Sequence, residues 1–400
     1  MSLSHTDRFF ALTELLNAHR ALYRERPFIG LPVAWEADMP RLSTVLRGLT
    51  MAEVAQFENT PLDIPGVREA CPTLVTDLEH LTDWPTLSPV INRRPEMPRR
   101  VRHRKWAQLS DFVSVLAERM PQEGGTWLDW CAGKGHLAGA VNERLGVPVT
   151  CVEKNPALCR SGAAEAEIRG RNLRFECRDV LDPSTVELLD DTSAVTALHA
   201  CGDLNIALIT YASERRVPFL AVAPCCYQRI DGMEHHPVSE LAKRNRVPLT
   251  RHLLRLPALS DYRPSAKKRD FRQRQHAFRL GLDLLIREAT GKDAYFPLGR
   301  ISPERMRQDF ETFAQTVAAE KGVPLPAVVD WRTAERAGWQ RFHLASALGL
   351  VRSLFGRAIE SWLLLDRVRY LEERGYRVDV GTFCEMSLTP RNLMFVAVRG

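Results

Sequence analysis

The sequence has no run of eighteen or more apolar residues, so no stretch suits a membrane-spanning helix. It has no Cys-x-x-Cys pair, although it holds nine cysteines. An odd number scattered through expected strands argues for reduced thiols in a cytoplasm and against a disulfide framework. The opening residues 1–7 lack the basic-then-apolar pattern of a secretory leader. A three-glycine G-x-G-x-x-G fingerprint is missing, which disfavours nicotinamide and flavin dinucleotides. Internal repeats and low-complexity tracts are missing too.

What is present describes an ordinary globular chain. Its 400 residues are long enough for two or three domains with substantial cores. A hydrophobic fraction of 45% with 26% charged residues is normal for a folded protein in water. The net charge of +6 is unevenly spread. Residues 93–105 hold seven Lys or Arg against one Glu, and residues 243–279 hold twelve against two Asp. Such segments fit a polyanionic partner such as RNA, or equally a solvated face.

Along the chain, residues 1–95 read as a helical accessory region. Phe9, Phe10, Leu12, Leu15 and Leu16 recur at helical spacing, as do Leu42, Leu46, Leu49, Met51 and Val54. Prolines at 61, 65, 72, 85, 89, 95 and 98 mark an irregular run out of it. Residues 104–120 predict an amphipathic helix with Trp106, Leu109, Phe112, Val113 and Leu116 on one face. Strands are then expected at 126–131, 148–153, 172–177, 193–198 and 218–223, alternating with helices at 135–145, 156–169 and 204–214. That alternation specifies a parallel, doubly wound α/β sheet with right-handed crossovers, a core over 96–230. Residues 231–345 read as a basic helical insertion. Residues 346–400 complete the core with a long apolar helix at about 344–373 and two closing strands, 376–380 and 393–398, giving seven in all.

The centre of this pattern is residues 126–137. A short apolar run reaches Asp129, turns through Gly133 and Gly135, and becomes a helix. Glycines permit positive φ and close backbone approach, and the helix start offers unpaired N–H groups to an anion. In an open parallel sheet, ligands bind beyond the carboxyl ends of the strands. Asp129, Glu153 and Asp179 end or follow the first three strands. Singly, each is more often a surface or capping group; in register with a glycine turn they make a cofactor pocket.

An Asp before a single tight G-x-G turn resembles motif I of class I S-adenosylmethionine (SAM) methyltransferases. Asp-Trp-Cys-Ala-Gly-Lys-Gly-His (129–136), Leu-His-Ala-Cys-Gly-Asp-Leu (198–204), Pro-Cys-Cys-Tyr-Gln (224–228) and Leu-Thr-Pro-Arg-Asn-Leu (388–393) together resemble one group of these enzymes. That group includes the methyltransferase-like domain of glutathione-S-transferase C-terminal-domain-containing proteins. The resemblance covers about 100–230 and 360–400 and implies a Rossmann-like sheet, SAM as cofactor and methyl transfer. A more distant likeness is to the tRNA acceptor-stem 2′-O-methyltransferase. That enzyme's Cys-Cys is followed by histidines where this chain has Tyr227-Gln228, and its zinc-finger cysteines have no counterpart in 1–95.

The implied cofactor set is Asp129, Cys131, Ala132, Gly133 and Gly135 on the turn, with Glu153 and Lys154 at the ribose. Asp179 and Val180 lie at the adenine, and His199 lies near the methyl donor. Asp129 is expected near the sulfonium and amino group. His199 is also the candidate general base, its ordinary pKa being near neutrality, or else a histidine bonded within the strand-end turn. Tyr227 is a second catalytic candidate that stacks on a substrate, or packs the pocket floor. Lys134 and His136 on the glycine turn are candidates for SAM's carboxylate or the substrate.

Cys201, Pro224, Cys225, Cys226, Tyr227, Arg391 and Asn392 are the expected substrate-side residues. The three cysteines allow three readings. They are zinc ligands with His235 and His236, nucleophiles that add to a pyrimidine, or small soft residues that let backbone and ligands approach closely. The last is preferred and no metal is expected. Arg391 and Asn392 reach the pocket or pin the final turn. The function expected is methyl transfer to an O or N of RNA or an RNA-associated protein. The alternatives are a small-molecule methyltransferase, or a non-catalytic module that binds SAM or nucleic acid.

Overall fold

The computed structural model describes residues 3–87, 103–120, 125–259 and 265–400. They form two compact units, one of 1–18, 79–261 and 356–400, the other of 19–78 and 262–355. Apart from 103–105, the basic segment 93–105 lies outside the described residues, as do the prolines at 89, 95 and 98. Among the described residues no helix is long and apolar enough to cross a membrane.

The first unit is built on one seven-stranded sheet. Its strands are β1 (Thr126–Trp130), β2 (Val149–Val152), β3 (Leu173–Glu176), β4 (Thr192–Leu198), β5 (Phe219–Ala223), β6 (Tyr376–Thr382) and β7 (Leu393–Arg399). The order is β3-β2-β1-β4-β5-β7-β6. β1 to β5 run parallel, and β7 is antiparallel to both β5 and β6. Helices cover both faces, so the central strands are near-continuous apolar runs, every residue of β5 being buried. The order reverses between β1 and β4, where such sheets open a crevice at their carboxyl edge. The expected amphipathic helix forms as His103–Arg119, with Leu109, Phe112 and Leu116 packed on Leu137, Val141 and Phe219.

Residues 79–87 close the sheet's outer edge. Leu87 N donates to Thr382 O and Thr382 N to Pro85 O, both at 2.8 Å. A Cβ on Gly381 would stand 2.2 Å from Pro85 O, so only glycine admits this covering strand segment.

The division of the chain differs from the one expected. The His5–Ala18 helix belongs to the sheet unit, where Phe9 stacks on Trp362 at 5.5 Å and Trp362 Nε1 donates to Thr13 Oγ1 at 2.9 Å. Residues 231–261 belong there as well. Val238 N, Ser239 N and Ser239 Oγ donate to the buried Asp366 carboxylate, and the buried His235 ring lies 3.3 Å from it. The long helix expected at 344–373 is two helices, Trp331–Leu354 and Gly356–Glu372, one in each unit. The interruption at Phe355–Gly356 permits a close approach, since a Cβ on Gly356 would lie 3.0 Å from Leu256 O.

The second unit is helical. Ala266–Thr290 crosses Trp331–Leu354 at a glycine pair, where a Cβ on Gly338 would meet Ala277 O at 2.6 Å and Gly281 Cα at 2.8 Å. Phe278, Leu282, Met306, Phe310 and Phe313 form its core. The buried Asp283 bonds Arg287 and the Phe296 N–H.

Candidate active site

The glycine turn follows β1 through alternating left-handed residues, Cys131 (φ 62°), Gly133 (φ 60°) and Gly135 (φ 69°). Ala132 N donates to Val152 O at 3.0 Å, which fixes the turn to β2. The two glycines differ. Nothing lies within 4 Å of a Cβ placed on Gly133, whereas one on Gly135 would meet Phe175 at 2.8 Å and Cys151 Sγ at 3.2 Å. Gly135 is a packing glycine that seats the turn on β2 and β3. Gly133 keeps open the space beyond the strand ends.

Asp129 lies beneath the turn, 2% exposed, and its Oδ2 accepts the Ala138 N–H at 3.2 Å. It therefore ties β1 to the first turn of the His136–Leu145 helix. Burial pushes its carboxyl up to about 7, opposed by the Ala138 bond and by Lys105. The carboxylate expected near the sulfonium thus also braces the turn from beneath through its Oδ2. Lys134 is exposed, and His136 is half-buried with its imidazole pKa lowered by desolvation and by nearby cations.

Glu153 sits beyond β2. Its Oε2 accepts the Gly133 N–H at 3.0 Å and its Oε1 the Asn155 N–H at 2.9 Å. A carboxylate offers about four lone-pair sites, so two remain for hydroxyls of a ligand. Beyond β3, Asp179 Oδ1 accepts the Leu181 N–H at 3.1 Å, and its Oδ2 lies 3.5 Å from Lys154 Nζ. The neighbouring Val180 is buried. Glu153 and the open Gly133 thus share one hydrogen-bonded cradle, with Asp179 held at the next strand end. These residues fit an adenosyl ligand whose amino-acid end meets the glycine turn.

The ends of β4 and β5 form the other side. His199 is exposed, has φ 75°, and donates its N–H to Ala223 O at 3.3 Å. Gly202 has φ 55°, and a Cβ there would overlap Arg229 O at 1.8 Å. Asp203 N donates to that same oxygen at 3.0 Å. The two loops are therefore locked together through backbone that only glycine supplies. Pro224 and Cys225 are buried at the end of β5.

The three cysteines converge. Cys201 Sγ lies 3.0 Å from Cys225 Sγ, and Arg391 Nη1 donates to Cys226 Sγ at 3.2 Å. Bonds from Cys201 and Cys225, with Arg391 and Arg229 nearby, hold the Cys226 thiol far below its usual value. The Cys201 contact pushes Cys225 up. His235 is not among them, being occupied by Asp366.

Tyr227 faces the interior, 2% exposed, with the Arg367 guanidinium 5.0 Å from its ring centre and its hydroxyl unpartnered. Burial drives its phenol pKa strongly upward. It packs the site from behind and offers no face to a substrate, which removes it as a stacking or catalytic group. Asn392 is buried too; it donates to Cys384 O at 2.7 Å and accepts from Arg357 at 2.9 Å. It pins the final turn and leaves Arg391 to reach the cysteines. Arg357, which also donates to Pro390 O and Glu360, organises this corner without any local signal in the sequence.

Residues 104–233 match a protein family described as a methyltransferase domain. A glutathione S-transferase C-terminal domain-containing protein homolog of Drosophila pseudoobscura pseudoobscura is 25% identical over 176 residues, 42% of this chain and 29% of that protein. The glutathione S-transferase C-terminal domain-containing protein of Xenopus laevis is 27% identical over 159 residues, 39% of this chain and 24% of that one. The chain thus spans less than a third of the length of the curated relatives it matches. Among solved structures, a Pyrococcus abyssi tRNA (uracil-54, C5)-methyltransferase with S-adenosyl-L-homocysteine overlaps at 16% identity and TM-score 0.24, over 30% of this chain and 28% of that one. A precorrin-6y C5,15-methyltransferase from Geobacter metallireducens overlaps at 14% identity and TM-score 0.25, over 34% and 71%. Overlaps this small carry no argument about substrate. The strand order and the family match together make residues 104–233 a class I methyltransferase-like domain whose cofactor is S-adenosylmethionine.

Proposed function

We propose that the protein is a working SAM-dependent methyltransferase that modifies an oxygen or nitrogen nucleophile of RNA or of an RNA-associated protein. The observation that carries the catalytic part is the cradle in which Glu153 accepts the Gly133 N–H while Gly133 faces open space. In this reading the carboxylate end of the cofactor lies against the glycine turn, in the space that Gly133 leaves open. Glu153 accepts the ribose hydroxyls, and Asp179 with Val180 borders the adenine. The bound cofactor supplies an electrophilic methyl group on a sulfonium. The chain's contribution is to align the acceptor for in-line attack, which is where most of the barrier reduction lies. The exposed His199 imidazole receives the acceptor's proton.

The RNA part is supported by charge placed against its local preference. Lys267, Lys268, Arg269 and Arg272 are exposed in the first turns of the Ala266–Thr290 helix, with only Asp270 among them. Cations at a helix N-terminus oppose the dipole by a few tenths of a kcal/mol to about 1 kcal/mol each. A polyanionic backbone offsets that cost, and its binding weakens steeply with salt.

The test is transfer of labelled methyl from SAM into lysate of the source organism lacking this gene, followed by RNase or protease digestion. Label removed by RNase supports the RNA reading. Label that resists RNase and yields to protease moves the acceptor to protein. SAM binding without transfer overturns the catalytic reading for these acceptors and favours a small-molecule substrate or a binding module.

A further inference from the structure

We propose that Cys201, Cys225 and Cys226 form a binding site for one thiophilic divalent cation, with zinc as the natural choice and a fourth position open to water or substrate. The three sulfur atoms all lie within 4.8 Å of one another. Cys201 Sγ and Cys225 Sγ are 3.0 Å apart, well beyond the roughly 2.05 Å of a disulfide. Zn–S bonds of about 2.3 Å place the sulfurs of a tetrahedral site about 3.8 Å apart, so small side-chain rotations bring all three into range.

Adjacent cysteines ordinarily point apart, which is why sequence spacing argues against a shared metal. Here the chain turns tightly at the pair. Tyr227 N donates back to Cys225 O at 3.2 Å and Arg229 N to Cys226 O at 3.1 Å, and both thiols fall on the side of Cys201. The backbone that carries them is preset. Gly202 and the Asp203–Arg229 bond hold the β4 loop against the β5 loop, so ligand positions exist without a large ordering cost.

The charge around the cluster fits as well. Three thiolates and one divalent ion leave a net charge of minus one, and the Arg391 guanidinium already donates to Cys226 Sγ at 3.2 Å. Such outer donors orient a ligand and balance its charge. Cys201 and Cys226 are half-buried and Cys225 is buried, so an ion has a route in and a dry back wall. Soft thiolate ligands with an open position select zinc over harder cations. Binding forms three metal–sulfur bonds and releases the thiol protons to solvent, with no change of oxidation state.

The experiment uses the full chain, stripped with a chelator under reductant and without oxygen, then titrated with Co²⁺. The expected result is a thiolate-to-cobalt charge-transfer band with the strong d–d bands of tetrahedral cobalt. Both should saturate at one equivalent and vanish when Zn²⁺ is added. Cys201→Ser and Cys226→Ser should abolish the bands while circular dichroism stays unchanged. Arg391→Ala should weaken uptake about tenfold, and Cys177→Ser should leave it intact. Absence of the bands in the unmodified protein overturns the site, and so does a band that survives Cys226→Ser. A Cys201–Cys225 disulfide that, once reduced, takes up no cobalt does the same. Calorimetric SAM binding by the metal-free protein is measured alongside; its loss would count against the methyltransferase reading and leave the metal result standing.

Discussion

The two sides of the pocket are built differently. On the β1–β3 side, each functional group is held by its own neighbourhood, as Glu153 is by Gly133 and Asn155, and Asp179 by Leu181. On the β4–β5 side, the two loops meet each other and are then tied down from distant chain. Arg391 reaches Cys226 from 165 residues away, and Arg357 secures Pro390 and Asn392. The first kind of site depends on local turns that a short sequence window specifies. The second depends on the whole sheet closing correctly, and substitutions on the two sides should fail in different ways.

The largest effect expected concerns Asp129, whose carboxyl is raised to about 7 by burial. A carboxyl with a folded-state pKa above its unfolded value contributes stability below the unfolded pKa, and loses it as pH rises through the folded one. Stability should therefore fall between about pH 4 and pH 7, by at most about 4 kcal/mol at 1.36 kcal/mol per pKa unit. Asp129→Asn keeps an acceptor for the Ala138 N–H and carries no charge, so its urea midpoint should be flatter over that interval. Equal pH slopes for the two proteins would refute the assignment.

Next in size is the contrast between the two glycines of the turn. Gly135→Ala must accept left-handed backbone and push against Phe175 at 2.8 Å. That combination should cost about 3 kcal/mol of unfolding free energy. Gly133→Ala meets no neighbour and should cost only the backbone penalty, about 1–2 kcal/mol. Its methyl group would instead project into the cofactor's space, so its larger signature should be weaker SAM affinity in calorimetry. If both variants lose stability equally, the turn is not divided into a packing glycine and a binding glycine.

Glu153→Ala should weaken SAM binding about a hundredfold, the worth of two hydrogen bonds to a charged acceptor. The unfolding midpoint should change less, because Gly133 N and Asn155 N can turn to water. Unchanged affinity would move the cofactor away from this cradle altogether.

This asymmetry also explains which parts of the structure were legible in the sequence. The alternation of strands and helices, the buried face of His103–Arg119 and the glycine turn are all local patterns, and they were readable to within a residue or two. What escaped depends on partners far along the chain. Nothing near Phe9 reveals that it stacks on Trp362, so residues 1–18 could not be assigned to the sheet unit. A helical pattern of apolar residues that continues through 344–373 hid the interruption at Phe355–Gly356, where Leu256 approaches from distant chain. The burial of Tyr227 is set by Arg367, 140 positions later, while its neighbours in sequence are the cysteines that do face the site.

Tyr227 supplies the smallest and most discriminating prediction. Its hydroxyl is buried without a partner. A hydroxyl desolvated in this way costs roughly 1–3 kcal/mol that a hydrogen bond would return. Removing it in Tyr227→Phe keeps the ring under Arg367 and should leave thermal stability unchanged or raise the midpoint by the equivalent of about 1 kcal/mol. Methyl transfer, measured on whichever acceptor the labelling experiment identifies, should persist at close to the original rate. A large loss of transfer with stability intact would mean that the phenol reaches the reacting groups after all, and the thiol side of the pocket would then be more open than this packing allows.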